Sequence, residues 1–327
     1  MKAIIGAVFA LLLGHAAAQA EVDQIRITYQ PGIIYLPVVV MQQAHLIEKH
    51  AASRGLPAFK ASFNVFGGGG AATDALLSGN VDIVTTGVSN LLLLWDRTKG
   101  QVKAYANASA TPMWLISRNP KVQSLKDLTA DDKIAVPTVK ISTQAILLQI
   151  AARKLYGDAA YDHFDMMEVT LGHPDAATSL ANGALTAHFS GPPFQQGEAA
   201  QPGMHVVTTS TEIMGGPVSN AIYFGTQKFH DANPTVVASF MAAAKEADDF
   251  IAAHPREACE MYVAQTGEKM PVEELIRIIQ GPDMYYNMKP VATLATALHM
   301  ADIKVLKTRP TRWTDYMFPE GFQFDGN

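Results

Sequence analysis

Residues 75–87 read ALLSGNVDIVTTG and residues 179–191 read SLANGALTAHFSG. Each stretch carries a helical run that stops at a glycine (Gly79, Gly183), then an apolar run of strand character, then a second glycine (Gly87, Gly191). Glycine ends helices because it takes the left-handed conformation at little cost. Short apolar runs bounded by glycine read as buried strands. Two such α/β units, roughly a hundred residues apart, argue for two related lobes, since a solenoid needs at least three repeats at a short period. The two copies differ at one charged position, where Asp82 in the first is matched by Thr186 in the second.

The pattern extends outward from both copies. Ile25 and Ile27 alternate with Arg26 and Thr28, so 24–29 reads as a first strand. A helix over 37–50, a strand over 60–66, four glycines at 67–70 and a helix over 71–77 follow, then a strand over 81–86 and a helix over 88–97. The alternation restarts with a strand at 113–118, a short helix at 124–128, a strand at 133–136 and a helix over 143–156 with Ser142 as its N-cap. A helix at 174–182, a strand at 185–190 and a strand at 221–224 come next, after which 234–306 is nearly all helical, punctuated by Pro255, Pro271, Pro282 and Pro290. Strands alternating with helices predict parallel sheets and an α/β fold. Residues 21–112 and 222–327 are expected to form one lobe, including a helical C-terminal tail, and 113–221 the other.

Met1 and Lys2, an uncharged apolar run over 3–13 and small residues over 16–20 have the order of a secretory signal peptide cut before Glu21. The apolar run falls short of the about 20 residues that a membrane span requires. Of the 25 basic residues, 24 remain once Lys2 is removed, against 30 acidic ones, which leaves a net charge of −6. An acidic chain with no basic tract is poorly suited to nucleic acid or anionic lipid. Apolar residues make up 48% of the sequence, enough for two cores. Cys259 is the only cysteine, so stability has to come from packing without an internal disulfide.

Motifs for catalysis are weak. Gly67-x-Gly69-x-x-Ala72 imitates a dinucleotide fingerprint, but the next strand ends Thr85-Thr86-Gly87 where an acidic residue should hold the ribose. Gly87-Val88-Ser89-Asn90-Leu91 has leucine where a nucleophile elbow has its second glycine. The ten histidines show no metal-binding spacing, and no metal or cofactor is expected. His173 and His188 flank elements of the second lobe, where a packing role is commoner than ligand contact.

The sequence does offer helix starts directly after strands, around 67–71, 86–89 and 140–143. Backbone N–H groups at such starts favour negative charge and converge outside the carboxyl ends of the strands. Gly68, Gly69, Gly70, Ala71 and Gly87 would let a ligand approach the backbone, while Thr86, Ser89, Ser142 and Thr143 add hydroxyl donors. Lys140 is the one cationic side chain in these loops. Tyr29, Tyr35, Phe66, Trp114 and Phe194 stand near strand ends, where aromatic rings can cover an apolar ligand body. Gly191-Pro192-Pro193-Phe194 directly follows the second-lobe strand. The same glycines and hydroxyls also turn and cap helices where no ligand binds.

IRITYQ at 25–30 with its proline-containing helix, the loop 66–70, ALLSGNVDI at 75–83, SLKDL at 124–128 with KIAVP at 133–137, and PDAA at 174–177 occur in a characteristic order. In these segments the chain resembles the periplasmic substrate-binding proteins of nitrate, alkanesulfonate, taurine and thiamine-precursor ABC importers. The resemblance implies a two-lobed fold of the type II-like periplasmic binding proteins, with the ligand cleft between the lobes and no catalytic activity. It further implies a periplasmic monomer that captures a small organic anion, a sulfonate or carboxylate, by hinge closure and hands it to a membrane permease. Tyr29, Gln30, Tyr35, Gly191 and Phe194 join the loop residues above as expected ligand contacts. Nitrate is disfavoured at this stage, because an inorganic ion would leave the aromatic positions without a role. Three alternatives stay open: a neutral pyrimidine-type thiamine precursor as ligand, a thiamine-pyrimidine synthase-like enzyme, whose cysteine-rich motif is missing here, and a sensor-partner protein that docks on a membrane receptor.

Overall fold

The computed structural model describes residues 20–327, so the expected signal peptide, save Ala20, lies outside the described residues. The first run comprises β1 (Gln24–Tyr29), α1 (Leu36–Gln43), α2 (Leu46–Ser53), β2 (Lys60–Val65), α3 (Gly69–Leu77), β3 (Ile83–Thr86), α4 (Val88–Arg97) and β4 (Val102–Ala110). The chain then enters β5 (Trp114–Ser117), β6 (Ile134–Val136), α5 (Thr143–Tyr156), β7 (Glu168–Thr170), α6 (His173–Asn182), β8 (Ala187–Ser190), α7 (Phe194–Ala199), β9 (His205–Thr209) and α8 (Ser210–Met214). It returns through β10 (Ser219–Thr226) and ends in α9 (Gln227–Ala232), α10 (Pro234–Ala253), α11 (Pro255–Thr266), α12 (Val272–Ile279) and α13 (Thr293–Asp302).

The strands form two five-stranded sheets, ordered β2-β1-β3-β10-β4 and β7-β6-β8-β5-β9. Each contains the parallel pairing that was expected, and each adds antiparallel pairing that was not. β1, β2 and β3 run parallel, as do β6, β7 and β8, but β10 is antiparallel to β3 and β4, and β5 is antiparallel to β8 and β9. The reason is the crossing between sheets: a strand that has just arrived from the other lobe enters from the opposite end. β10 begins at Ser219 and is already part of the first sheet there, three residues ahead of the expected crossing at 222.

The expected helix over 37–50 is two helices, broken at Ala44 and His45, where His45 takes a left-handed φ of 50°. The expected helical run from 234 is interrupted between α12 and α13. There Tyr285 and Met288 hydrogen-bond to Ala110 and Asn107, so this stretch lies along β4 as an added edge. α10 and α11 pack on α1, and α10 also on α2, whereas α13 lies against α4 and α5 and so touches both lobes. The apolar core below α4 runs on into α5 without a break, through Leu91, Leu92, Ile146 and Leu147. Cys259 is buried in this core's neighbour, and burial pushes its thiol up to about 12, so it stays protonated.

The sequence echo is a structural equivalence. Asp82 Oδ2 accepts the backbone N–H of Arg26 at 2.8 Å, and its carboxylate takes two bonds from the Arg26 guanidinium, at 3.0 and 2.7 Å. At the matching place in the second sheet, Thr186 Oγ1 accepts the backbone N–H of Lys133 at 2.6 Å. Each side chain ties the entrance of the third strand of its unit to the entrance of the first. Only the backbone bond is common to the two, so a hydroxyl serves as well as a carboxylate where no guanidinium has to be held. Asp82→Ala is therefore expected to destabilise the protein by about 1–3 kcal/mol, since it strands a backbone donor and a charged side chain. Urea unfolding checks this as a lower midpoint at constant slope, and an unchanged midpoint would refute the role.

Candidate functional site

Four helix N-termini meet where the two sheets face each other. α3 and α4 begin at Gly69 and Val88 in the first lobe, α5 and α6 at Thr143 and His173 in the second. Each follows the carboxyl end of a parallel strand, because the right-handed strand-to-helix connection leaves the helix starting at that edge. Gln30, Ile34, Tyr35, Gly69, Thr86, Gly87, Asn90, Pro137, Ser142, Thr143, Gln144, His173 and Asn220 enclose the cleft. The space open to the centre of a water molecule is about 20 Å³, room for about one water. The lobes therefore stand closed.

Glycines allow this closure. A Cβ on Gly68 would sit 2.9 Å from the Pro137 carbonyl oxygen, and one on Gly172 would sit 2.9 Å from that of Gly67, each across the cleft. A Cβ on Gly87 would collide with Thr143 Oγ1. One backbone hydrogen bond also spans the lobes, from Ile33 N–H to the Pro192 carbonyl at 3.1 Å.

Within the cleft the polar groups divide into satisfied and free. Gln30 Nε2 donates to the Tyr35 hydroxyl and to Thr86 Oγ1, both at 2.7 Å. Burial raises the Tyr35 phenol far above its ordinary range, so it remains neutral. Asn220 donates to Thr111 Oγ1 at 2.9 Å, and Ser142 Oγ accepts from Ala145 N–H at 3.3 Å as the expected N-cap. Thr143 Oγ1 and Asn90 Oδ1 are buried and have no hydrogen-bond partner. Other buried atoms among the described residues also lack a partner, Thr28 Oγ1 and Tyr223 Oη among them, but Thr143 Oγ1 and Asn90 Oδ1 belong to residues that line the cleft, where another molecule can supply the missing bond.

Of the residues singled out in the sequence, Gln30, Tyr35, Gly69, Thr86, Gly87, Ser142 and Thr143 line this cleft. Gly68 and Gly70 lie at its rim, facing Pro137 and Thr138, and Ala71 is exposed in the first turn of α3. Ser89 is fully buried with a partnerless hydroxyl, but the cleft is lined by its neighbour Asn90. Lys140 is exposed, its Nζ 3.9 Å from Asp165, and lies outside the lining. The Tyr29 hydroxyl is 3.4 Å from the side chains of Gln42 and Gln265, and Tyr29 is not among the lining residues. A Cβ on Gly191 would lie 3.6 Å from His173 Nε2, and the Phe194 ring stacks on the His173 imidazole at 5.9 Å. Phe66 packs against the core and Trp114 lines a separate surface groove with α12. Sequence reasoning missed Asn90, Gln144 and Asn220 and set His173 aside. Among the described residues no group of three or more His, Cys, Asp or Glu is placed to hold a metal.

Residues 18–266 match the family described as NMT1-like. The chain belongs to the NMT1-like family. This NMT1-like chain also superposes on solved binding proteins at low sequence identity. The alkanesulfonate-binding protein SsuA of Xanthomonas axonopodis pv. citri, bound to MOPS, is 17% identical with a TM-score of 0.70, covering 89% of this chain and 96% of that one. The periplasmic aliphatic sulphonate binding protein SsuA of Escherichia coli is 19% identical with a TM-score of 0.67, over 91% and 92%. The periplasmic nitrate-binding protein NrtA of Synechocystis PCC 6803 is 15% identical with a TM-score of 0.60, over 82% and 74%. Comparison with curated proteins returns no match. The NMT1-like chain thus has the two-lobed periplasmic binding protein fold that the resemblance implied, and the two lobes that its repeated α/β units led us to expect.

Proposed function

We propose that this protein is the ligand-capturing component of an ABC importer, exported to the periplasm, and that it holds a small anion such as a sulfonate or carboxylate between its lobes. The observation that carries this reading is the pair of partnerless buried groups, Thr143 Oγ1 and Asn90 Oδ1, in a closed cleft onto which four helix N-termini converge. Helix starts supply partial positive charge and free N–H groups, so an anion can be held without a lysine or arginine. The names of the superposable proteins, which bind alkanesulfonates and nitrate, point the same way. The aromatic argument against an inorganic ion falls away, because Tyr29 and Phe194 have packing roles and only Tyr35 lines the cleft. Four carboxamides in the lining, Gln30, Asn90, Gln144 and Asn220, suit a neutral heterocycle as a second reading.

A thermal-shift screen of the mature protein against sulfonates, carboxylates, nitrate and pyrimidines separates these readings. A ligand at a hundred times its Kd adds about 2.7 kcal/mol of stability. Stabilisation by pyrimidines alone would overturn the anion reading. Thr143→Val keeps the shape and removes the hydroxyl. It should weaken ligand binding about tenfold, the loss of one hydrogen bond near 1.4 kcal/mol. The free protein should keep its stability, since Thr143 Oγ1 has no partner to lose. Equal affinity in calorimetry would remove Thr143 from the site.

A further inference from the structure

Behind the cleft runs a buried chain of three titratable side chains. Glu198 on α7 is 2% exposed, His188 on β8 is 0% exposed and His173 at the start of α6 is 7% exposed. His188 Nδ1 lies 2.7 Å from Glu198 Oε1, His188 Nε2 lies 2.9 Å from His173 Nδ1, and His173 Nε2 reaches the cleft, 3.4 Å from Gln144 Nε2. Ser190 Oγ donates to Glu198 Oε1 at 3.3 Å, while Glu198 Oε2 is buried without a partner. The surroundings add no compensating charge. The flanking strands place Ile116 and Ala135 opposite His188, α5 presents Gln144, α7 presents Phe194, and among the described residues the three titratable side chains make no ion pair beyond His188–Glu198 itself.

Each close contact in the chain needs one proton between its two heavy atoms, so the chain holds either two protons or three. With two protons, both imidazoles carry Nδ1–H, Glu198 is a carboxylate, the chain has a net charge of −1 and His173 turns a lone pair toward the cleft. With a third proton the chain is neutral. Every three-proton form with one proton in each contact turns His173 Nε2–H into the cleft, and in the one without ionised groups, which burial favours, Glu198 donates to His188 Nδ1 and His188 Nε2–H donates to His173 Nδ1. One proton taken up at the cleft end is thus absorbed by shifting two along the chain, and no lasting charge is left on an imidazole.

Building on the anion reading of this site, we propose that the cleft binds its anion only when the Glu198–His188–His173 chain holds the third proton, so that His173 Nε2–H meets the anion and the protein carries one proton per anion bound. The two-proton form repels an anion twice over, by its net charge and by the lone pair it presents. Burial acts in the direction of the neutral form: it pushes Glu198 up to about 8, His188 down to about 3 and His173 well below its ordinary value, so the third proton resides on Glu198. His173 is the contact residue, and His188 and Glu198 act through it.

Calorimetric titration of the mature protein with ethanesulfonate and with nitrate, from pH 6 to 9.5 and in two buffers of different ionisation enthalpy, tests this. Both probes keep a single fixed charge throughout, so any pH dependence belongs to the protein. The expected result is constant affinity at low pH and a loss of about tenfold per pH unit on the alkaline side, with proton uptake rising there toward one per anion. Glu198→Gln places an amide N–H where the protonated carboxyl donates, so it should hold the chain in its donating arrangement and keep its affinity at pH 9. Binding with no pH dependence and no buffer-dependent heat, or a Glu198→Gln variant with the original alkaline loss, would overturn the proposal. Absence of binding by either probe at pH 6 is a different failure, that of the anion reading itself, and would take this proposal with it.

Discussion

Gly69→Ala should lower affinity for the captured ligand about a hundredfold, a loss near 2.7 kcal/mol. A Cβ at this position would lie 2.5 Å from Thr86 Oγ1 and closer still to the Asn90 amide, so both side chains have to move into a cleft with room for about one water. Thr86 would then leave the hydrogen bond it accepts from Gln30, and Asn90 would lose the position in which its Oδ1 waits for a partner. The added methyl group also occupies the first turn of α3, where a ligand would approach the backbone. Calorimetry with any ligand that stabilises the unaltered protein gives the answer, and a loss below threefold would show that the ligand does not sit on α3.

Gly68→Ala should act on closure and leave each lobe intact. The new Cβ would meet the Pro137 carbonyl oxygen at 2.9 Å, and a backbone oxygen cannot swing aside as a side-chain tip can. Crowding of this kind disfavours the packed arrangement by about 1–3 kcal/mol. The clash exists only between lobes, so the penalty falls on the closed form and lowers affinity between about fivefold and two-hundredfold, depending on how far the lobes can shift. Small-angle scattering should show the Gly68→Ala protein remaining open with ligand at a concentration that compacts the parent. Equal compaction and equal affinity would mean that ligand is held without full closure. Gly172→Ala, which meets the Gly67 carbonyl from the other lobe, should behave alike.

The elements with the strongest local signals were legible in the sequence. α4 and α5 occupy the residues expected of them, because Gly87 and Ser142 mark their starts and long apolar faces follow. β4 went unread, since VKAYANASA is rich in alanine, with Lys103, Asn107 and Ser109 between, and becomes a strand through its neighbour β10 and burial along nearly its whole length. The break at His45 carries no glycine or proline to announce it. At the site, helix starts were readable from glycines and hydroxyls, but which side chain turns inward was not. Asn90 lies one turn past Gly87, to whose carbonyl its N–H bonds, and therefore faces the cleft that Ser89 turns from. Gln144, Asn220 and His173 reach the cleft from three separate elements, and such convergence is a property of the tertiary fold. The histidine chain was invisible for the same reason, since Glu198 is brought to His188 by the turn into α7.

The position of β10 bears on how the molecule comes to exist. It is the strand between β3 and β4, bonded to both, yet the whole second lobe precedes it in the chain. The second sheet is built from consecutive sequence and can form as soon as residue 209 is available, whereas the first stays in two pieces until residue 226 arrives. Such long-range pairing slows folding, because the loop must close before the contacts that reward it exist. In the interval β3 and β4 each present an open edge, the kind of surface on which chains add to one another. A chain cut short before β10 would lose the middle of its first sheet, and its two halves would be sticky without being joined.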